Sequence, residues 1–485
     1  GSMAGAADLK PHPLFTDGAV LQQGKIVPVW GSAKPGETVT VKIGEDQATT
    51  KANDDGRWKV ELPAMKAGGP HELTIKCEDD SVTIKDVLIG EVWICSGQSN
   101  MQWPLSASEH GAEAIASSAN PMIRLFNVPR RGASEPETTV EAAWQPCEPK
   151  TAAGFSAVGY FFGRDLQKAL NVPIGLIGSN YGGTAAEEWT SQEKLLAVPE
   201  LRAMGEQLPK EAQPKAKTEE PGKAKAKAKA QAKSGGNSLR GPTVLYNAMI
   251  HPLLPYAIRG AIWYQGESNA GRAYQYRTLF PAMIKDWRER FGQGDFPFLL
   301  VQLAPFDAKG GTWPELREAQ LMATQILPNT AMAVITDAGD PKDIHPKRKQ
   351  PVGARLALAA LAMTYGKDLV SSGPIYDSMS IDGDKAVLRF KSIGGGLELR
   401  DDLERISEAN PMAGFTIAGE DKRFVAAKVH VVGDSLVVSS EKVARPVAVR
   451  YGWADVPAPL LWNKDGLPAS PFRTDDFPGI TQPKK

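Results

Sequence analysis

A serine in a glycine turn, a histidine beside two aspartates and two polar loops are the residues of this chain best placed to do chemistry together. The serine is Ser99, in Gly97-Gln98-Ser99-Asn100-Met101. A Gly-x-Ser turn between strand and helix holds a hydroxyl outward, and N–H groups at the helix start favour a developing oxyanion. By itself such a serine is more often a helix cap. Met101 also stands where the second glycine of a Gly-x-Ser-x-Gly elbow would be. The histidine is His345, in Asp340-Pro341-Lys342-Asp343-Ile344-His345-Pro346. A neutral imidazole accepts a hydroxyl proton, and a carboxylate fixes its tautomer. Asp343 and Asp340 are both close enough in sequence to serve. Ser179-Asn180-Tyr181-Gly182-Gly183-Thr184 offers glycine amides that approach a ligand closely. Gln265-Gly266-Glu267-Ser268-Asn269 adds an asparagine amide able to donate to an oxyanion. The chemistry of this set is acyl transfer, with a serine nucleophile and a histidine base.

Elimination favours His345 among the six histidines. His12 and His71 fall in the first β-region and His430 in a C-terminal strand. His110 follows Ser99 closely, and His251, in Ile250-His251-Pro252, reads as a bridge between backbone groups. Only His345 follows a strand with acids beside it.

For these loops to meet, each must leave the carboxyl end of a strand in one parallel sheet, where ligands of open α/β folds bind. The pattern allows this. Buried-strand runs at 87–95, 174–177, 259–264, 296–302 and 332–335 alternate with helical spacing at 155–170, 274–290, 314–326 and 349–365. Such alternation predicts an α/β fold with a doubly wound parallel sheet. Short strands separated by turn clusters precede it and follow it, which predicts β-sandwiches at both ends. The expected domains are 8–88, 89–368 and 369–485. A Lys/Ala-rich insertion at 208–237 has almost no large apolar residues to offset its ordering entropy.

Composition narrows the partners. Lys+Arg and Asp+Glu both number 56, so zero net charge gives no bulk attraction to nucleic acid or membrane. No apolar run reaches membrane-spanning length. Cys77, Cys95 and Cys147 are too few and scattered for a disulfide framework or a zinc site. No metal-ligand spacing or phosphate loop is present, so neither metal nor cofactor is expected. Gly1-Ser2-Met3 reads as an expression scar.

Together the motifs Gly97–Met101, Tyr181-Gly182-Gly183-Thr184, Trp263–Asn269 and Asp343-Ile344-His345-Pro346 resemble the SGNH (GDSL-like) hydrolases, specifically the sialate O-acetylesterase family. The stretch 461–473 is similar to that family too. The resemblance implies an SGNH core and a secreted or periplasmic esterase. It implies Ser99 as nucleophile, His345 as base and Asp343 as orienting acid. The family's usual acid position, three residues before the histidine, holds Lys342 here, so Asp340 or a backbone carbonyl is the alternative. The implied oxyanion hole is the Ser99 amide, Gly182 or Gly183, and Asn269. Gln98, Gln265, Glu267, Trp103 and Arg272 are expected to line the substrate, an acetylated glycan or sialic acid. Trp103, Tyr181 or Trp263 would bound a shallow acetyl pocket, and Arg272 would meet a sialic acid carboxylate. Acetylated xylan or another polysaccharide is the alternative substrate. A non-catalytic carbohydrate-binding protein and a lipase or protease are the readings from other classes.

Overall fold

The computed structural model describes residues 9–78, 80–207, 210–211, 239–400 and 411–483. The expected insertion therefore lies outside the described residues, apart from Lys210–Glu211, which pairs with Leu239–Arg240. Six strands build the central parallel sheet: β1 (Ser81–Gly97), β2 (Asn120–Asn127), β3 (Ile174–Asn180), β4 (Gly260–Tyr264), β5 (Phe298–Val301) and β6 (Thr330–Ala333). Their order is β2-β3-β1-β4-β5-β6, with Trp144–Cys147 antiparallel at the β2 edge. From β1 the chain fills one side of the sheet and then the other. The carboxyl end of β1 is thus a topological switch point, the place where such sheets bind ligands.

Five helices matter for the site: α1 (Ser99–Gln102), α2 (Ala157–Leu170), α3 (Ala273–Phe291), α4 (Trp313–Ile326) and α5 (Gln350–Met363). The period-two alternation of strand side chains divides the core between the two faces. Ile262, Tyr264, Leu299 and Val301 pack with Phe161 and Phe162 of α2 and Leu356 of α5. Their neighbours Trp263 and Leu300 pack with Phe280 and Trp287 of α3 and Leu316 of α4. Both faces are covered, which is why these strands read as continuous apolar runs.

β1 is 17 residues long and serves two sheets. Its first half pairs with Gly68–Lys76 and Val20–Gln22, and its second half with β3 and β4. The expected junction at 88/89 falls inside this one strand. Buried alternate residues of the N-terminal strands, among them Val29, Val41, Trp58 and Ile75, extend the same core.

At the other end, two four-stranded antiparallel sheets share a core of Leu388, Leu436, Val438, Ile417, Val449 and Tyr451. The fully buried Arg317 of α4 ties this layer down, donating to the carbonyls of Ala454 and Asp455 at 2.8 and 2.9 Å. The expected strands missed β2, whose Pro121 and Arg124 interrupt an otherwise apolar run. Arg124 leaves the core sideways to pair with Asp86 at 2.7 Å.

Candidate active site

The turn that carries Ser99 is forced by close packing at the end of β1. Gly97 has φ +135°, and a Cβ there would sit 2.2 Å from the Tyr264 carbonyl of β4. Only glycine fits between the two strand ends. The chain then turns into α1, with the half-buried Ser99 at its first residue. Its hydroxyl lies 2.8 Å from His345 Nε2, although 246 positions separate the two residues.

His345 is held from three sides. The Trp103 ring stacks on the imidazole, with centroids 5.3 Å apart and planes at 16°. The Asp343 carboxylate accepts from the His345 backbone N–H at 2.9 Å and lies 3.8 Å from Nδ1. That is an electrostatic contact, beyond hydrogen-bond length. Asp340 is used elsewhere: its carboxylate accepts from the Lys342 N–H at 2.8 Å. Burial lowers the His345 pKa below its ordinary value, the Asp343 charge opposes this, and Lys349 adds to the lowering. The ring is therefore neutral at pH 7, the state a general base needs.

The glycine pair after β3 comes beside Ser99. A Cβ on Gly182 would lie 3.2 Å from Ser99 Cβ. The Gly182 N–H donates to Gln102 Oε1 at 2.7 Å, so this amide is occupied. The Gly183 N–H donates to no partner among the described residues. Gly182→Ala is expected to push the Ser99 side chain by a few tenths of an ångström and lower kcat about tenfold with little change in melting temperature. Steady-state acetate release with a thermal melt checks it; an unchanged kcat contradicts the packing.

Several expected substrate contacts are turned inward instead. Gln98 is 3% exposed and accepts from the Ser268 N–H. Gln265 is fully buried, donating to the Thr184 carbonyl and Asn269 and accepting from Tyr276. Both brace the loops because a polar side chain at a buried strand end must find partners. Glu267 accepts from Asn100 at 2.6 Å behind the Ser99 turn, and burial raises its pKa. Asn269 is also committed: its oxygen accepts from the Ala186 N–H and Gln265, and its Nδ2 donates to Glu187 at 2.9 Å. Arg272 donates to the other oxygen of Glu187 at 2.5 Å, which neutralises the charge expected for a ligand. Of the expected aromatic walls, Trp263 is fully buried, Trp103 backs His345 and Tyr181 remains half-buried beside the glycines. His251 bonds the Glu137 carbonyl through Nδ1 at 2.7 Å, a single backbone contact at a half-buried position.

Sequence reasoning missed four residues that shape this site: Asn100, Gln102, Glu187 and Lys349. Asn100 joins three loops, donating to Glu267 and to the Ile344 carbonyl at 3.0 Å and accepting from Lys349. Its place directly after Ser99 was the available signal. Arg130 was also passed over. Its Nε donates to the Asn180 carbonyl at 3.2 Å, and Asn180 pairs with Gly97 in the sheet. It forms no ion pair among the described residues. No cluster of metal-ligating side chains occurs among the described residues.

Comparisons with known proteins converge on one chemistry. Residues 89–210 and 230–362 match the family described as carbohydrate esterase, sialic acid-specific acetylesterase. The chain is 32% identical to the sialate O-acetylesterase of Homo sapiens, over 93% of this chain and 90% of that one. It is 32% identical to that of Mus musculus over 92% and 90%. A crystal structure of a carbohydrate acetylesterase from Xanthomonas citri superposes with a TM-score of 0.84 at 40% identity, covering 96% of this chain and all of the other.

Proposed function

Because the chain belongs to the carbohydrate esterase family of sialic acid-specific acetylesterases, we propose that it hydrolyses O-acetyl esters of sialic acid through an acyl-enzyme on Ser99. It is a carbohydrate esterase acting on O-acetyl groups. The sugar and the mechanism are the content of the proposal. The observation that carries the mechanism is the 2.8 Å contact between Ser99 Oγ and His345 Nε2. In this reading the sheet and its loops form an SGNH-type core.

His345 takes the hydroxyl proton as Ser99 Oγ bonds to the acetyl carbonyl carbon. The oxyanion so formed is met by the Ser99 N–H and the unengaged Gly183 N–H. On collapse, His345 returns the proton to the sugar oxygen, the carbon–oxygen bond breaks and the deacetylated sugar leaves. Water then attacks the acetyl-serine by the same route and releases acetate. Asp343 stabilises the imidazolium through its charge. Closing the 3.8 Å gap by about 1 Å on substrate binding makes that contact a hydrogen bond.

Sialic acid carries a carboxylate, and Arg130, a cation with no ion pair among the described residues, lies one strand from the Ser99 turn. A second reading, acetylated xylan or another polysaccharide, is favoured by the higher identity, 40%, to the Xanthomonas citri carbohydrate acetylesterase. One experiment separates them: acetate release from O-acetylated sialic acids and from acetylated xylo-oligosaccharides, by wild type and Arg130→Gln. The sialate reading expects sialate turnover and an increase in KM of about tenfold for the variant on sialates alone. Release from xylo-oligosaccharides alone transfers the assignment to the second reading.

A further inference from the structure

The site contains a buried cation that the hydrolysis steps do not use. Lys349 is 0% exposed and stands immediately before α5. A positive charge at a helix N-terminus opposes the macrodipole, and burying an ammonium without a direct carboxylate partner is unfavourable. Such a residue persists where the surrounding structure gives it work. Its Nζ donates to Asn100 Oδ1 at 2.5 Å, and Asn100 Nδ2 donates onward to Glu267 Oε1 at 2.6 Å. The ammonium also lies against two aromatic rings, 5.2 Å from the Tyr264 centroid and 5.9 Å from that of Trp103. Trp103 in turn stacks on His345.

The geometry points to Lys349 as a positioning residue for the catalytic pair: its Nζ pins Asn100, and so the Ser99 turn, and stands behind the Trp103 ring that stacks on His345. Three loops meet at this one charge. The nucleophile turn reaches it through Asn100, the loop after β4 through Glu267, and the histidine loop through the Asn100 bond to the Ile344 carbonyl. The inference rests on the Ser99–His345 reading above.

The groups that face His345 and Lys349 fix the sign of the test. On the histidine loop, Asp343 stabilises the imidazolium, while Lys349 at the head of α5 disfavours it. Burial lowers the Lys349 pKa to about 7, while Glu267 from the loop after β4 and Asp343 oppose this, so Lys349 is an ammonium across an acidic limb that lies below pH 6.5. Tyr264, from β4 itself, has a pKa raised well above its ordinary value and stays neutral. Ser99 and Trp103 carry no charge. Removing the ammonium therefore makes protonation of His345 easier. The acidic limb of kcat/KM should move to higher pH.

The experiment is the pH profile of Lys349→Met on 4-nitrophenyl acetate, beside wild type. Expected are a fall in kcat of about ten- to a hundredfold and an acidic limb displaced upward by about 0.5–1 pH unit. Lys349→Met alone leaves Glu267 buried without its cation, so Lys349→Met with Glu267→Gln, which strands no charge, is measured in parallel. Its limb should move in the same direction. A folded variant whose limb coincides with wild type overturns the inference, whatever its kcat. Ser99→Ala in the same assay keeps the two ideas apart. If it retains activity, the serine mechanism fails. If it is inactive while the limb of the lysine variants is unmoved, only the role of Lys349 fails.

Discussion

Ser99→Ala is expected to lower kcat by on the order of 10⁴- to 10⁶-fold, with KM and melting temperature close to wild type. The size follows from what is removed. Without the hydroxyl no acyl-enzyme forms, and His345 has only water to activate. The remaining donors around the site still polarise the acetyl carbonyl, so activity should stay above the uncatalysed rate. Stability should hold because the deleted atom bonds only His345 among the described residues and belongs to a half-buried residue. The turn itself is set by Gly97 and Asn100, which the substitution leaves alone. Acetate release with a sugar acetate, alongside thermal melts, measures both quantities. A loss smaller than about tenfold would remove the serine from the mechanism.

His345→Ala is the second large effect, expected to reduce kcat/KM by about 10³-fold or more. Its wild-type counterpart is a pH profile. The base is active when neutral, so kcat/KM should be full above the His345 pKa and fall as pH drops through it. Burial lowers that pKa from 6.5, so the midpoint of the acidic limb should lie below pH 6.5. In His345→Ala that limb should vanish, since the group whose protonation produces it is gone. A midpoint at or above pH 7 in wild type, or the same limb in the variant, would assign the titration to another group. Trp103 gives a structural control. It loses its stacked partner in His345→Ala, yet its other neighbours stay in place, so the change should read in rate far more than in stability.

The sequence alone determined which chemical groups were available and which loops carried them. Ser99 and His345 were legible because strand-then-turn patterning is local: the apolar run before Gly97 and the acids around His345 are readable without coordinates. The α/β alternation and the flanking β-structure were legible for the same reason. Strand β2 was not, because Pro121 and Arg124 break its pattern and only pairing with β3 makes it a strand.

Tertiary structure alone decided which polar side chains face the substrate and which face each other. Gln98, Gln265, Glu267 and Asn269 have the composition of a binding surface. Three loops converge behind them, however, and buried polar atoms must first satisfy one another. Arg272 was spent on Glu187 by the same requirement, and neither the partner nor the distance is encoded locally. Lys349 read as the start of a helix, and nothing near it in sequence marks it as a lysine sealed behind Trp103 and His345. Only the meeting of α5 with the Ser99 turn and the loop after β4 places it there, because burial and charge pairing are set by neighbours distant along the chain.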